Sequence, residues 1–251
     1  MVIRDACPAC GSNRDKKNGH TRHGKQNHQC KACERQFGAT AEDRLISDAR
    51  RIMVEHLLRE RISLRGICRA VGVSLTWLLH CMVERFAACP ADLHVRVPHR
   101  PTDVVLRRLE AEADERWSFV KKKANKQWSW RAMDATTRQI IALHVGDRSR
   151  DSAKALWANI PAVYREQATF HTDQYDAYTG VSPAERHKAI TKHARKTNHI
   201  ERFNHTLRQR VSRLVRETLS FSKKLAHHIG AIKYFICHYN LTRATAAALP
   251  V

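Results

Sequence analysis

The chain has 251 residues and a mass of 28.9 kDa, and its 45 Lys and Arg against 24 Asp and Glu leave a net charge of +21. That surplus favours phosphate-rich partners, and no apolar run reaches the roughly 18–20 residues of a membrane span. A membrane role is thereby excluded, and a cytoplasmic, nucleoid-associated protein is expected.

The first element is C-x₂-C-x₁₉-C-x₂-C, made by Cys7, Cys10, Cys30 and Cys33. Each pair makes a tight knuckle that aims two thiolates at one ion, and four such ligands fill the tetrahedron of a structural Zn²⁺. His20, His23 and His28 lie between the pairs and could substitute for a cysteine, but four cysteines already suffice. The polar, basic stretch between the pairs suits the hairpin of a ribbon, so residues 1–41 are expected to form a zinc ribbon.

Residues 42–87 read as all-α. Leu45, Ala49, Ile52, Met53 and Leu57 recur at helical spacing. Ser63 suits an N-cap for a short helix with Leu64, Ile67, Cys68 and Val71 inward, and Gly72-Val73 suits a turn. Ser74 suits the cap of a second helix carrying Leu75, Leu78, Leu79, Met82 and Val83. Helix, glycine turn, helix is the pattern of a helix-turn-helix, whose second helix enters the major groove. Ser74, Thr76, Trp77 and His80 are therefore the DNA-contact candidates, although Trp77 is equally suited to packing.

Pro90, Pro98 and Pro101 mark a linker over 88–103. Beyond it, over 104–251, the period changes to that of strands. Trp117–Phe119, Trp128–Ala132 and Ile140–Val145 read as three strands joined by hairpins, with Asp134 stabilising the second turn. A helix over Asp151–Asn159, a strand over Ala168–Thr172, a helix from Asn198 and a packing helix over Leu225–Leu241 follow. The order gives an α/β domain with a mixed sheet.

Three acids stand out in that domain: Asp114 in A-D-E-R-W, Asp173 in H-T-D-Q-Y-D-A-Y, and Glu201 in N-H-I-E-R-F-N-H. Carboxylates gathered from two strands and a helix provide the hard oxygen ligands that paired Mg²⁺ or Mn²⁺ ions require for phosphoryl transfer. Between Arg186 and Lys224 there are twelve Lys and Arg but only two Glu. An acid set in so basic a stretch points to chemistry on DNA phosphodiesters. Asn204, His205 and Arg208 share the helix face of Glu201, and Asn204 and Arg208 are the phosphate-positioning candidates. Asp176 competes with Asp173, which follows its strand directly. Glu112 and Glu115 are read as facing away from Asp114.

The T-D-x-x-x-x-Y setting of Asp173, the I-E-R-x-N-x-x-L-R-Q setting of Glu201 and the run Leu219-Ser220-Phe221-Ser222-Lys223 resemble Asp-Asp-Glu transposases of the insertion sequence one family. The stretch from Asp173 to Glu201 is a few residues longer than that family's pattern. The resemblance implies a ribonuclease-H-like fold for the catalytic domain, with Asp114, Asp173 and Glu201 as catalytic metal ligands. It also implies binding of element terminal repeats and target DNA by several copies of the chain, with strand cleavage followed by strand transfer. Two other readings stay open: a DNA-binding regulator with an inactive catalytic half, and a nuclease or resolvase that only hydrolyses.

Overall fold

The computed structural model describes residues 6–21, 24–38, 46–96, 110–189, 198–214 and 221–248. They fall into two compact units, 1–49 and 50–251. In the first, Asp15–His20 (β1), Gln26–Cys30 (β2) and Gln36–Gly38 (β3) form an antiparallel sheet in that order. Among its described residues the buried cluster is only Cys7, Cys30 and Phe37. So small a core cannot hold three short strands by burial alone.

The second unit opens within α1 (Asp48–Leu57), followed by α2 (Leu64–Val71) and α3 (Leu75–Ala87). The caps fall where serines were expected. Ser63 accepts the N–H of Gly66 at 3.1 Å and Ser74 that of Trp77 at 3.2 Å. Gly72 turns the chain between α2 and α3 with φ 72°, a conformation open to glycine because it has no Cβ. The two helices meet at a bend of 111°. Not every apolar position goes inward. On α1 it is Val54 that is buried, whereas Ile52 and Met53 are more than half exposed. On α3 Leu78, Cys81 and Met82 are buried, and Leu75, Leu79 and Val83 face out. Leu45 lies outside the described residues. α3 rests on the last helix, α7 (Leu225–Ala248), at Gly230, where a Cβ would come within 2.5 Å of the Phe86 ring.

A five-stranded sheet forms the rest of this unit: Glu110–Phe119 (β4), Lys126–Asp134 (β5), Ile140–Gly146 (β6), Thr169–Thr172 (β7) and His187–Ala189 (β8), in the order β6-β5-β4-β7-β8. The first three strands run antiparallel, whereas β7 is parallel to β4 and β8 to β7. α4 (Arg150–Asn159) and α5 (Ala162–Gln167) cover one face, burying Leu156 and Tyr164 against Ala111, Ala113, Trp130 and Ala132. α6 (Asn198–Arg210) and α7 cover the other, where Ile200, Phe203, Leu207 and Phe235 pack on Met133 and Ile140. The strands and long helices expected from periodicity are present. α5 and β8 were not expected, being too short to show a period. Asp134 does hold the β5–β6 turn, its Oδ1 accepting from Thr136 N–H at 2.7 Å and Thr137 N–H at 3.2 Å.

The early part of the expected linker is tied down. Leu93 is 4% exposed, and Val95 packs against the core. Arg96 N–H donates to Gln139 Oε1 at 2.8 Å. Fully buried Asn240 on α7 stitches this segment to β6, donating to the carbonyls of Leu93 (2.8 Å) and Ile140 (3.0 Å) and accepting the N–H of Ile140 (2.9 Å).

Another buried polar group makes the fold sensitive to acid. His228 on α7 is fully buried, its Nε2 lies 2.7 Å from Ser118 Oγ, and burial pushes its pKa down to about 4. The folded value lies below the unfolded value of about 6.5, so the unfolded state takes the proton first. Stability from this group is intact above that value and is lost as pH falls through the window between them. Urea melts should show wild type losing about 2 kcal/mol more than His228→Gln between pH 7 and pH 5. Equal losses in the two proteins would show that His228 is protonated in the fold.

Candidate functional site

The four cysteine sulfurs converge. Cys7 and Cys33 Sγ lie 3.6 Å apart, as do Cys10 and Cys30 Sγ, and all four lie within 4.8 Å of one another. A tetrahedron with metal–sulfur bonds of ~2.3 Å has sulfur–sulfur edges of ~3.8 Å, so the set fits Zn²⁺. The backbone supports it: the N–H of Cys33 draws the Cys30 thiol down to about 6, and that of Ala32 donates to Cys30 Sγ at 3.4 Å. His28 is engaged elsewhere, with its Nδ1 paired to Asp15. His23 lies outside the described residues.

The second convergence lies in the α/β unit. β4 and β7 pair in parallel with Glu112 beside His171, so two residues further along Asp114 comes beside Asp173, just past the end of β7. Asp114, Glu115 and Asp173 each offer a carboxylate oxygen within 4.8 Å of the others. Burial raises the pKa of Asp114 and pushes Glu115 up to about 7, with the nearby Asp173 charge adding to both. Crowded, half-desolvated carboxylates with hard oxygen donors fit a divalent cation, which would relieve their repulsion.

Faces of β4 decide what surrounds each acid. Asp114 stands opposite Arg131 of β5 and points to the α6 side, where Asn204 Nδ2 donates to its Oδ2. Glu115 points to the α4 side, held by Arg148 Nη2 (3.0 Å) and the Tyr178 hydroxyl (3.1 Å). Arg148 in turn lies over the rings of Trp128 (4.5 Å) and Tyr175 (4.1 Å). Two expectations need correction here. Glu112, two residues from Asp114, shares its face because strand alternation has period two. Buried Glu112 accepts the N–H groups of His199 (3.1 Å) and Ile200 (2.9 Å) at the start of α6. Glu115 does face away, yet its carboxylate reaches the cluster at the strand's end. A D-E pair closing a strand was the available signal for Glu115.

The remaining candidates are placed as follows. Asp176 is exposed in a 3₁₀ turn, outside the acid group, and Asp173 Oδ1 accepts the N–H of Tyr175 at 3.2 Å. Glu201 lies in the first turn of α6, exposed and one turn before Asn204, and is outside the group formed by Asp114, Glu115 and Asp173. Its charge is felt by Glu112, whose pKa burial pushes up to about 7. Asn204 is 1% exposed and engaged with Asp114, so it orients that carboxylate where a phosphate contact had been expected. Arg208 follows on the same helix face, half-buried. On α3, Ser74 is spent on its cap, Thr76 and His80 are exposed, and half-buried Trp77 lies beneath the Arg51 guanidinium, 5.8 Å from its ring centroid.

Residues 108–241 match the family described as IS1 transposase. The insertion element iso-IS1n protein InsB of Shigella dysenteriae is 34% identical over 131 residues, 51% of this chain and 94% of that protein. The insertion element IS1 protein InsB of Shigella flexneri is 34% identical over 131 residues, 51% of this chain and 96% of that protein. A cryo-EM structure of the simian T-cell lymphotropic virus intasome aligns at 14% identity and a TM-score of 0.32, covering 57% of this chain and 54% of that one. That overlay is too loose to bear on the site.

Proposed function

The chain belongs to the IS1 transposase family, and from that premise we propose that it cuts DNA at element ends and joins the freed 3′ end to target DNA with Mg²⁺ or Mn²⁺. The observation that carries this reading is the meeting of Asp114 and Asp173 at the ends of parallel neighbours β4 and β7, with α6 laid across Asp114. The sheet order, an antiparallel trio extended by two parallel strands with helices on both faces, supports a ribonuclease-H-like domain.

Asp114, Asp173 and Glu201 are the proposed ligands. Bound divalent cations would supply Lewis acidity at the attacking and leaving oxygens. The chain's own part is positional. Asn204 fixes the Asp114 carboxylate, and Glu112 seats the start of α6 on β4 so that Glu201 lies one turn from Asn204. Glu115 is already engaged with Arg148 and Tyr178 and serves as a neighbouring charge. Arg208 is placed to steady a DNA phosphate. The test is a cleavage and joining assay on the element's own terminal DNA, with Mg²⁺ and with EDTA. Joined product that survives EDTA would remove the metal from the mechanism, and cleaved product without joining would favour a nuclease or resolvase.

End recognition is proposed for the zinc ribbon (1–41) and a helix-turn-helix within 42–87. The supports are the capped pair α2 and α3, the turn at Gly72, and the exposure of Thr76 and His80. Because α3 rests on α7, the full chain is the material to test. Thr76→Ala and His80→Ala should narrow the affinity gap between element ends and random duplex, each base contact being worth about 1–3 kcal/mol. Arg69→Ala should weaken both duplexes alike. An unchanged gap in a His80→Ala, Thr76→Ala double variant would move readout off α3.

A further inference from the structure

Beside Asp114 the sheet carries more positive charge than one carboxylate can use. Asp114 stands opposite Arg131, and Arg116, opposite Ser129, lies next along the same face. Arg208 approaches from α6, one turn beyond Asn204. Together with Ser118, Ser129 and Asn204 these three arginines line a narrow groove between β4, β5 and α6. Arg131 is 1% exposed, and its Nε and Nη2 have no hydrogen-bond partner. A buried guanidinium with two idle donors is costly unless an anion meets it. The Asp114 carboxylate cannot satisfy all three arginines, since its Oδ2 is already taken by Asn204.

We propose that this groove is an anion subsite in which Arg131, with Arg116 and Arg208, holds a backbone phosphate of the DNA strand that passes Asp114. The subsite rests on the reading of the chain as a DNA-cutting enzyme. Its ligand class follows from the donor set: planar guanidinium forks and two hydroxyls suit a tetrahedral phosphodiester oxyanion. It also extends the phosphate-binding role beyond α6 to the strands of the sheet, placing the DNA backbone on the α6 face of β4 and β5.

Binding can be read apart from chemistry in a D114N background, with Ca²⁺ present, by fluorescence anisotropy of labelled element-end duplex across a salt series. Adding Arg131→Gln should weaken binding about tenfold, the loss expected of a charged hydrogen bond. It should also make the slope of log affinity against log salt shallower by about 0.9, as for one lost phosphate contact. Arg208→Gln, on a half-buried helix position, should give the same change in slope and covers the case in which Arg131→Gln fails to fold. If D114N/R131Q and D114N/R208Q both keep the affinity and slope of D114N, Arg131 is merely an internal counter-charge and the subsite does not exist. That outcome is separate from failure of the enzymatic reading, which would appear as wild-type protein that binds the duplex with the full slope and cuts nothing.

Discussion

Asp114→Asn, Asp173→Asn and Glu201→Gln should each bring both cleavage and joining below roughly a hundredth of the wild-type rate, the smallest loss expected when a group that stabilises developing charge is removed. Each substitution keeps the side-chain shape and removes one ligand charge. Binding of element ends should persist, because it is assigned to residues ahead of the sheet. Two controls sharpen the expectation. Asp176→Asn should leave the rates unchanged, since Asp176 is exposed outside the acid group. Glu115→Gln should stay within about tenfold of wild type, because its carboxylate is committed to Arg148 and Tyr178, contacts that a glutamine can partly keep. A Glu115→Gln protein that is dead beside an active Glu201→Gln protein would transfer the third ligand from α6 to β4.

The second large effect concerns the ribbon. Purified protein should carry one equivalent of zinc, measured by elemental analysis, and Cys30→Ala with Cys33→Ala together should carry none. Loss of the metal should unfold residues 6–38, because their buried cluster amounts to Cys7, Cys30 and Phe37 and metal binding then supplies the folding energy. Limited proteolysis should accordingly cut the double variant throughout that stretch and leave 50–251 intact, while end binding falls. A full zinc equivalent in the double variant would falsify the four-cysteine site.

Much of this was legible in the sequence because the signals were local. Two C-x₂-C knuckles, serines at helix starts and a glycine between helices each act over a few residues, and each appears where its chemistry demands. Asp173 was legible too, as an acid directly after a short apolar strand. What the sequence withheld depends on facing elements. That Glu112 serves α6 and Glu115 serves Arg148 follows from which helix covers which face of β4, and no local pattern carries that. Ile52 and Met53 show the same limit: helical spacing marks an apolar stripe but does not say what, if anything, lies against it. Asn204 looked like a phosphate ligand on a helical wheel, and only the depth of α6 on the sheet turns it toward Asp114. The Arg116–Arg131 pairing needed the register of two strands to be known.

The grip of Glu112 on the first amides of α6 has a consequence for how such proteins can diverge. A helix seated by its neighbour in the sheet takes its position from that neighbour and owes little to the length of chain that delivers it. The stretch between Asp173 and Glu201 is then free to gain or lose residues over generations while the distance between the acids holds. Spacing would be a poor guide to kinship among these chains, and an acid two residues ahead of the first aspartate, able to cap the late helix, a better one.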